Sequence, residues 1–345
     1  MKELLKQKIL SRPINTLITI LGVFLLFKIV YPIFRWALWD AHWQGTSREA
    51  CTDQGGACWV FIKENLFQFL FGFYPEAEIW RVFLVFFCLV ASFIVYIIAK
   101  KQLRQFLLFW IVFALPILSW KLLLGFASLP IVNTSQWGGV FLTLIVSLTG
   151  IATSLPLGIL LALARRSKLP VLKTLAILFI EVWRGVPLIT VLFMSSVMLP
   201  LILPSGFIID KLIRALVAVS LFSAAYMAEV VRGGLQAIPR GQSEASQALG
   251  LNFSQYMSLV IMPQALKHVI PGIVNSFIAL FKDTTLVSII GMFDLLGIIQ
   301  AASTHPDWLG FSLEGYVFAG VFYWIFCFSM SRYSQKLELK LNRGT

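Results

Sequence analysis

The sequence predicts an all-α polytopic membrane protein with about eight transmembrane helices. Of its 345 residues, 59% are hydrophobic and 13% are charged, and the mean hydropathy is +0.85. A soluble chain of this length cannot bury so much apolar side chain, whereas lipid covers it in a helical membrane protein. The basic residues behind the net charge of +12 cluster at the ends of apolar runs, which argues against a nucleic-acid-binding surface.

Apolar windows of about 20 residues define the predicted spans. The first window follows a basic segment and is not followed by a small-residue cleavage site. We therefore interpret it as an uncleaved helix and not as a signal peptide. The predicted spans cover residues 14–34, 82–99, 106–126, 138–164, 171–199, 215–231, 270–299 and 316–330.

Lysine and arginine counts predict the orientation. Eight spans place both termini on one side, and that side carries eighteen of these residues against five on the other. Because loops rich in lysine and arginine stay in the cytoplasm, we expect both termini to be cytoplasmic.

The long outer loop after the first span contains two cysteines. Cys51 and Cys58 flank a turn formed by residues 53–56. In an oxidising compartment these cysteines can form a disulfide across the turn, and two free thiols are the alternative. The spacing alone does not decide between them.

A change in composition divides the chain near residue 137. The first three predicted spans are rich in phenylalanine and poor in charge, whereas the unusual polar features follow Gly138. We interpret residues 1–137 as an accessory region with three spans and a long outer loop, and residues 138–345 as a core with five spans.

The long cytoplasmic loop, residues 232–268, has the pattern of two short helices. The segment 244–249 consists of good helix formers, and Gly250 suits the left-handed position after a helix. Residues 252–260 predict a second helix, which Pro263 is expected to end. The small side chains of the first helix favour close docking onto a protein partner.

The same loop resembles the EAA loop of ABC importer permeases. That family pattern is Glu-Ala-Ala, three residues, Gly, nine residues, Ile, one residue, Leu-Pro. Here Glu244-Ala245-Ser246, Gly250, Val260 and Met262-Pro263 have the same spacing, with three conservative departures at residues 246, 260 and 262. Segments 181–188 and 228–235 are similar to the polar amino-acid branch, and the whole chain resembles the longer permeases of general L-amino-acid importers.

The resemblance implies a type I ABC importer core in the last five helices. Such a permease translocates L-amino acids in a bacterial plasma (inner) membrane and is not itself an enzyme. The implied partners are a dimer of ATP-binding subunits, a second homologous permease as a heterodimer partner, a periplasmic amino-acid-binding protein and the lipid bilayer. The residues implied in coupling to the ATP-binding subunit are Gly241, Glu244, Ala245, Ser246, Gly250 and Pro263.

The sequence contains no glycine-rich loop followed by lysine and serine or threonine. We therefore expect no cofactor bound by this chain, with ATP and magnesium held by the partner subunit. An ion-coupled secondary transporter of a small polar solute is the alternative function, and paired intramembrane carboxylates would be expected for it. The three histidines are scattered, so we expect no metal site.

Charged residues inside the predicted spans indicate a functional or structural role, because the insertion of each into the bilayer costs about 2.5 to 3.5 kcal/mol. Lys282 and Asp283, followed by Thr284 and Thr285, are predicted near the midplane of the seventh span. They can bind the ammonium and carboxylate groups of an amino acid along a substrate path. Neutralisation of each other or of structural neighbours is the alternative.

Two further charged pairs are candidates for structural or gating roles. Glu181 and Arg184 are three residues apart on one helical face and are expected to pair beside a break at residues 185–187. Glu229 and Arg232 lie near the inner end of the sixth span, where they favour a role in a gate or in anchoring the loop.

Overall fold

A computed structural model describes residues 13–51, 55–204, 206 and 209–342. The all-α membrane fold is confirmed: the described chain is built from helices, with only isolated bridges between extended residues. Residues 2–12 and Arg343 of the predicted basic clusters lie outside the described residues, as do Asp53 and Gln54 of the predicted turn.

The α-helices are numbered here in chain order, and several are joined by short π-helical or 3-10 segments. Their bounds are α1 Pro13–Phe34, α2 Trp59–Glu64, α3 Leu66–Phe71, α4 Ile79–Ile98, α5 Lys101–Phe109, α6 Leu115–Leu124, α7 Gly139–Arg165, α8 Pro170–Gly185, α9 Leu188–Phe193, α10 Leu199–Ile202, α11 Lys211–Ala237, α12 Arg240–Ala248, α13 Phe253–Tyr256, α14 Met262–Asp283, α15 Leu295–Ser303 and α16 Ser312–Asn342.

The described residues form six helices long and apolar enough to cross a membrane, or seven if one bent pair is a single span. The predicted count of eight is therefore not reached. The third predicted span is a series of shorter pieces, α5, the π-helical segment Trp110–Ala114 and α6. The fifth consists of α8 and the run Leu188–Ile202 at 102° to each other. The chain turns there because Val186, which precedes a proline, is extended.

The seventh predicted span, 270–299, has different limits in the structure. A helical run extends over Phe253–Ile290 and stops at Gly291, whose φ of +71° lies in the left-handed region. The expectation that Pro263 ends a helix is wrong. Pro263 lies in the first turn of α14, where a missing N–H is tolerated, and the π-helical segment Met257–Ile261 leads into it.

One compact unit comprises the described residues up to Leu66 together with Gln300–Phe318. In this unit Cys51 and Cys58 form a disulfide with a Cα–Cα distance of 5.7 Å. The buried N–H of Cys58 donates a hydrogen bond to Glu314 Oε1 at 3.1 Å. The ring of Phe61 lies 5.6 Å from that of Trp308. These contacts tie the first long loop to the connection before α16.

The second compact unit comprises Phe67–Ile299 and Ala319–Thr345, and its centre is the contact among α7, α11 and α14. Small residues allow these helices to approach closely, as is usual within membranes. A side chain added at Gly158 would come within 2.7 Å of Met227 on α11, and one at Gly150 within 2.8 Å of Leu280 on α14. These two glycines therefore allow α7 to pack closely against α11 and α14.

Asp294 lies in the connection between the last two long helices and is fully buried. Its Oδ1 accepts a hydrogen bond from the N–H of Gly297 at 3.0 Å, which caps α15, and its Oδ2 accepts one from the Tyr323 hydroxyl at 3.1 Å. Among the described residues, no lysine, arginine or histidine lies within 4.0 Å of this carboxylate. Burial raises the pKa of Asp294 to about 6, despite the hydrogen bonds that lower it.

We expect this carboxyl group to make stability depend on pH. Because the pKa is raised from 3.8, the fold favours the protonated form. The stabilisation is complete below pH 3.8 and is lost as the pH rises through about 6, which amounts to about 3 kcal/mol in the free energy of unfolding. Thermal unfolding in detergent between pH 4 and 7 should show a shallower decline for Asp294→Asn than for the wild type. Equal declines would contradict the assignment.

Candidate functional site

Helix α12 and the glycine after it lie on the surface of the loop 232–268, which the sequence predicts to be cytoplasmic. The helix begins at Arg240 after Pro239, one turn earlier than predicted. It ends where expected, because Gly250 has a φ of +75°. The N–H of Gly250 donates to the carbonyl of Gln247, and that of Leu251 donates to the carbonyl of Ser246. This hydrogen-bond pattern is the Schellman ending of a helix, which glycine favours.

One side of α12 is anchored and the other is free. Ser246 is buried, and its hydroxyl donates to the carbonyl of Gln242 at 2.6 Å. Gln264 on α14 donates its side-chain amide to Gln242 Oε1 at 3.4 Å. Exposed residues of the loop include Gly241, Glu244, Ala245, Gly250, Pro263 and the large apolar side chains of Leu249, Phe253 and Leu259.

The exposed apolar side chains are unusual for a surface loop, since Leu249 is 81% and Leu259 is 70% exposed. Leu249 lies between α12 and Gly250, and Leu259 lies on the π-helical segment that follows α13. An uncovered apolar surface beside a glycine-stopped helix has the composition of a protein docking site.

Glu229 on α11 is the centre of a cluster of charges, which we call the Glu229 cluster. Arg165 at the end of α7 lies 2.7 Å from Glu229, and Arg232 lies 2.6 Å from it on the same helix. Arg184 on α8 is 3.6 Å away, and Glu181 contacts Arg165 at 3.1 Å. Three arginines and two glutamates thus join the ends of three helices.

The expected pair between Glu181 and Arg184 is not formed. Each of these residues instead pairs outside its own helix, Glu181 with Arg165 and Arg184 with Glu229. Arg184 also lies over the ring of Tyr226, 5.8 Å from its centroid. The spacing predicted a shared helical face, but the partner of Glu181 in the structure is Arg165 at the end of α7.

A cavity of about 250 Å³ lies between α7, α11 and α14. Its polar lining consists of one carboxylate and four hydroxyl groups, and apolar side chains such as Phe222 and Phe277 complete the wall. The hydroxyl hydrogens of Ser154 and Ser276 are donated to carbonyls of their own helices, so their oxygens remain as acceptors. The polar lining residues are Ser154, Ser223, Tyr226, Ser276 and Asp283.

Of the four residues predicted for a substrate path, Asp283 alone lines this cavity. Lys282 is exposed, and Thr284 is buried with its hydroxyl donating to the carbonyl of Phe281 at 2.8 Å. The Thr285 hydroxyl donates to the carbonyl of Lys282 at 2.9 Å. Lys282 and Asp283 therefore do not both line the cavity. The serines were missed because a lone serine in an apolar run gives no signal of what it faces.

The described part of the chain contains no group of three or more histidine, cysteine, aspartate or glutamate side chains that could hold a metal ion. The carboxylates of the Glu229 cluster are occupied by arginines.

Comparisons with known proteins agree with the loop and the helical core. Residues 154–343 match the family model described as "Binding-protein-dependent transport system inner membrane component". The chain is 53% identical to the inner membrane amino-acid ABC transporter permease protein YhdY of Escherichia coli, with 98% of this chain and 92% of that protein covered. It is 39% identical to the glutamate/glutamine/aspartate/asparagine transport system permease protein BztC of Rhodobacter capsulatus, with 98% and 93% covered.

A solved structure titled "Crystal structure of an amino acid ABC transporter with histidines" has a similar chain. The TM-score is 0.51 at 30% identity, and the match covers 59% of this chain and 92% of that one.

The chain therefore belongs to the family of binding-protein-dependent transport system inner membrane components. It is a multi-pass permease subunit of an ABC importer in a bacterial inner membrane. Permeases of this family are transport subunits that work with separate ATPase subunits and with binding proteins, and the EAA loop is typical of them.

Substitution in the Glu229 cluster should show which carboxylate holds the helices together. Glu229→Ala leaves three partly buried arginines without their shared partner, so we expect a loss of about 2 kcal/mol in the free energy of unfolding. Glu181→Ala removes a half-exposed carboxylate, and the expected loss is below about 1 kcal/mol. Thermal unfolding in detergent compares the two variants. Equal effects would show that Glu229 is not the centre of the cluster.

Proposed function

We propose that this permease subunit imports L-amino acids that a periplasmic binding protein delivers. The two long relatives support the substrate class, since one is an amino-acid permease and the other serves glutamate, glutamine, aspartate and asparagine. The observation that carries the proposal is the helical run Phe253–Ile290, which begins within the loop 232–268, a few residues after α12, and includes the cavity residue Asp283. Movement of the loop can therefore reach the cavity along one continuous element.

In this proposal α12 is the coupling helix that docks onto the ATP-binding subunit. The exposed face of the loop supplies apolar contacts. On the anchored face, Ser246 is buried and its hydroxyl donates to the carbonyl of Gln242 within α12. ATP and magnesium are bound by the partner, and this chain contributes no cofactor-binding residues. The residues proposed for coupling are Gly241, Glu244, Ala245, Ser246, Gly250 and Pro263.

Gly250 provides a test of this docking role. An alanine at a φ of +75° is disfavoured by about 1 to 2 kcal/mol, so Gly250→Ala should distort the end of α12. We expect the amount of ATP-binding subunit that co-purifies from native membranes to fall about tenfold, and Glu244→Ala to reduce it as well. Gly320→Ala is the matched control, because Gly320 lies in α16 with nothing within 4 Å of an added side chain.

Retention of the ATP-binding subunit by the variants would contradict the docking role. If the folded Gly250→Ala and Glu244→Ala chains retain the ATP-binding subunit as well as the control does, the loop is not the coupling element. Transport by the isolated chain in liposomes without ATP would instead favour an ion-coupled carrier.

We further propose that residues 138–345 form the importer core and residues 1–137 an accessory region. The solved amino-acid transporter chain supports this division, because nearly its whole length corresponds to 59% of this chain. We also propose that both termini are cytoplasmic, because segments rich in lysine and arginine stay on that side of the membrane. A second homologous permease completes the pathway, since one five-helix core cannot enclose a path by itself.

The Glu229 cluster is proposed to hold the cytoplasmic side of the path closed. Glu229 and Arg232 lie near the end of α11 that continues into the coupling loop, and Arg165 and Arg184 join them from α7 and α8. Separation of α8 from α11 would expose these charges, so the cluster favours one arrangement of the helix ends.

The cavity beside Asp283 is proposed as part of the substrate path. A carboxylate and hydroxyl oxygens with free lone pairs suit an ammonium group, and the aromatic rings of Phe222, Tyr226 and Phe277 suit the carbon skeleton of an amino acid. Lys282 is exposed, and Lys282, Thr284 and Thr285 are not among the lining residues. These three residues therefore belong to the proposed path only as neighbours of Asp283.

Substitutions at Asp283 and at its neighbour Lys282 test which of the two residues acts in the substrate path. Asp283→Asn removes the only charge in the cavity wall, and we expect amino-acid uptake by the reconstituted transporter to fall about tenfold, as for the loss of a charge-assisted hydrogen bond. Asp283→Glu should retain part of the activity, and Lys282→Gln should transport nearly as well as the wild type. Normal uptake by Asp283→Asn would remove this cavity from the substrate path.

A further inference from the structure

A groove of about 660 Å³ lies between the bent pair of helices and α11. The bend of 102° after α8 separates the two halves of the pair, and the groove lies along them and along the outer half of α11. Its walls are almost wholly apolar and include Trp183, Val191, Met194, Val217 and Leu221. A groove of this length and composition has the shape and chemistry to hold a hydrocarbon chain.

Arg214 is the one charged residue among those that line the groove. Its guanidinium group donates hydrogen bonds to the carbonyls of Ser195 and Ser196 in the π-helical segment Met194–Met198. Its Nε is buried and has no hydrogen-bond partner. In the described chain no carboxylate lies within 4.0 Å of it, so an uncompensated positive charge adjoins an apolar groove.

The acidic residue nearest to Arg214 along the chain is Asp210, and both of its carboxylate oxygens already accept hydrogen bonds. Asp210 caps α11 by accepting hydrogen bonds from the N–H groups of Leu212 and Ile213, and its other oxygen accepts one from the Thr134 hydroxyl at 2.6 Å. Lys211 is not among the groove residues. Arg214 thus requires a negative charge from outside the chain.

The position of Arg214 along α11 places the required negative charge at the level of the lipid headgroups. Arg214 is in the first turn of a helix of 27 residues, which is about 40 Å long, and the coupling loop follows its other end. The groove therefore opens at the bilayer surface opposite the coupling loop, where a headgroup phosphate lies beside the hydrocarbon region.

We propose that the groove is a binding site for an anionic phospholipid. One acyl chain lies between the bent pair and α11, and the phosphate accepts hydrogen bonds from Arg214. Guanidinium groups bind phosphate in a forked geometry, and basic residues between transmembrane helices are a recurring site for anionic headgroups. The lipid fills the space that the bend leaves open and neutralises Arg214.

Trp183 offers a direct readout, because it lines the groove. The full chain is purified with the subunits that accompany it and reconstituted in phosphatidylcholine that contains phosphatidylglycerol, with brominated acyl chains on one lipid or the other. Quenching that is lost in Trp183→Phe reports the lipid in the groove. We expect phosphatidylglycerol to be preferred over phosphatidylcholine about fivefold, the effect of one arginine at the surface.

Three variants test the assignment. Arg214→Gln should lower the preference to near one, while Lys211→Gln, the matched control on the same helix turn, should leave it unchanged. Val217→Phe should weaken the Trp183 quenching by both lipids, because the larger ring narrows the groove. If Arg214→Gln does not fold, Arg214→Lys, which keeps the charge, should retain the preference, and Val217→Phe still tests the site.

Several outcomes would overturn the proposal. These are the absence of a phosphatidylglycerol preference in the wild type, an unchanged preference in Arg214→Gln, or undiminished quenching in Val217→Phe. Trp183 that neither lipid quenches would show that protein fills the groove. A cross-link from Val217→Cys to the second permease would then identify the occupant as a helix of that subunit.

Discussion

The neutralisation of Glu229 inside an apolar helix is the constraint on which the arrangement of the core depends. A carboxylate on α11 is tolerated because guanidinium groups from α7, α8 and its own helix reach it within 4 Å. Separation of any of these helices would leave a charge without its partner in a poorly solvated place. The cluster therefore fixes the ends of three helices relative to one another, between the cavity on one side and the loop that contains α12 on the other.

The helical run Phe253–Ile290 connects two places that a sequence pattern treats as separate. Its first turns carry exposed Phe253 and Leu259, and a later turn carries Asp283 in the cavity wall. No flexible segment intervenes, since the π-helical segment Met257–Ile261 passes directly into α14. Close packing at Gly150 and Gly158 holds the neighbouring helices against one another. A permease of this construction can transmit force because its parts are stiff and closely packed.

Much of the fold could be predicted from the sequence, because apolar length and basic flanks follow from the bilayer itself. The break beside Gly185 and the left-handed position of Gly250 were also visible, since both depend on local backbone preferences. The angle of 102° and the limits of the seventh span were not, because the first half of that run is amphipathic and does not stand out by hydropathy.

Side-chain pairing in the site was harder to predict for a geometric reason. Neighbours on a helix point about 100° apart, so adjacent Lys282 and Asp283 do not both line the cavity. Glu181 and Arg184 share a face, but their partners come from other helices, and no spacing rule reveals which helix lies opposite. The hydroxyl groups that line the cavity could not be predicted for the same reason, because the sequence does not reveal which helices surround it.

The hydrogen bond between Cys58 and Glu314 joins residues that are 256 positions apart. A protein is synthesised from its N-terminus, so the segment that contains Cys58 leaves the ribosome well before residue 314 does. The disulfide of Cys51 and Cys58 can form early, but the amide that Glu314 satisfies must wait for nearly the whole chain. The oldest part of the nascent protein is therefore among the last to reach its final hydrogen bonding.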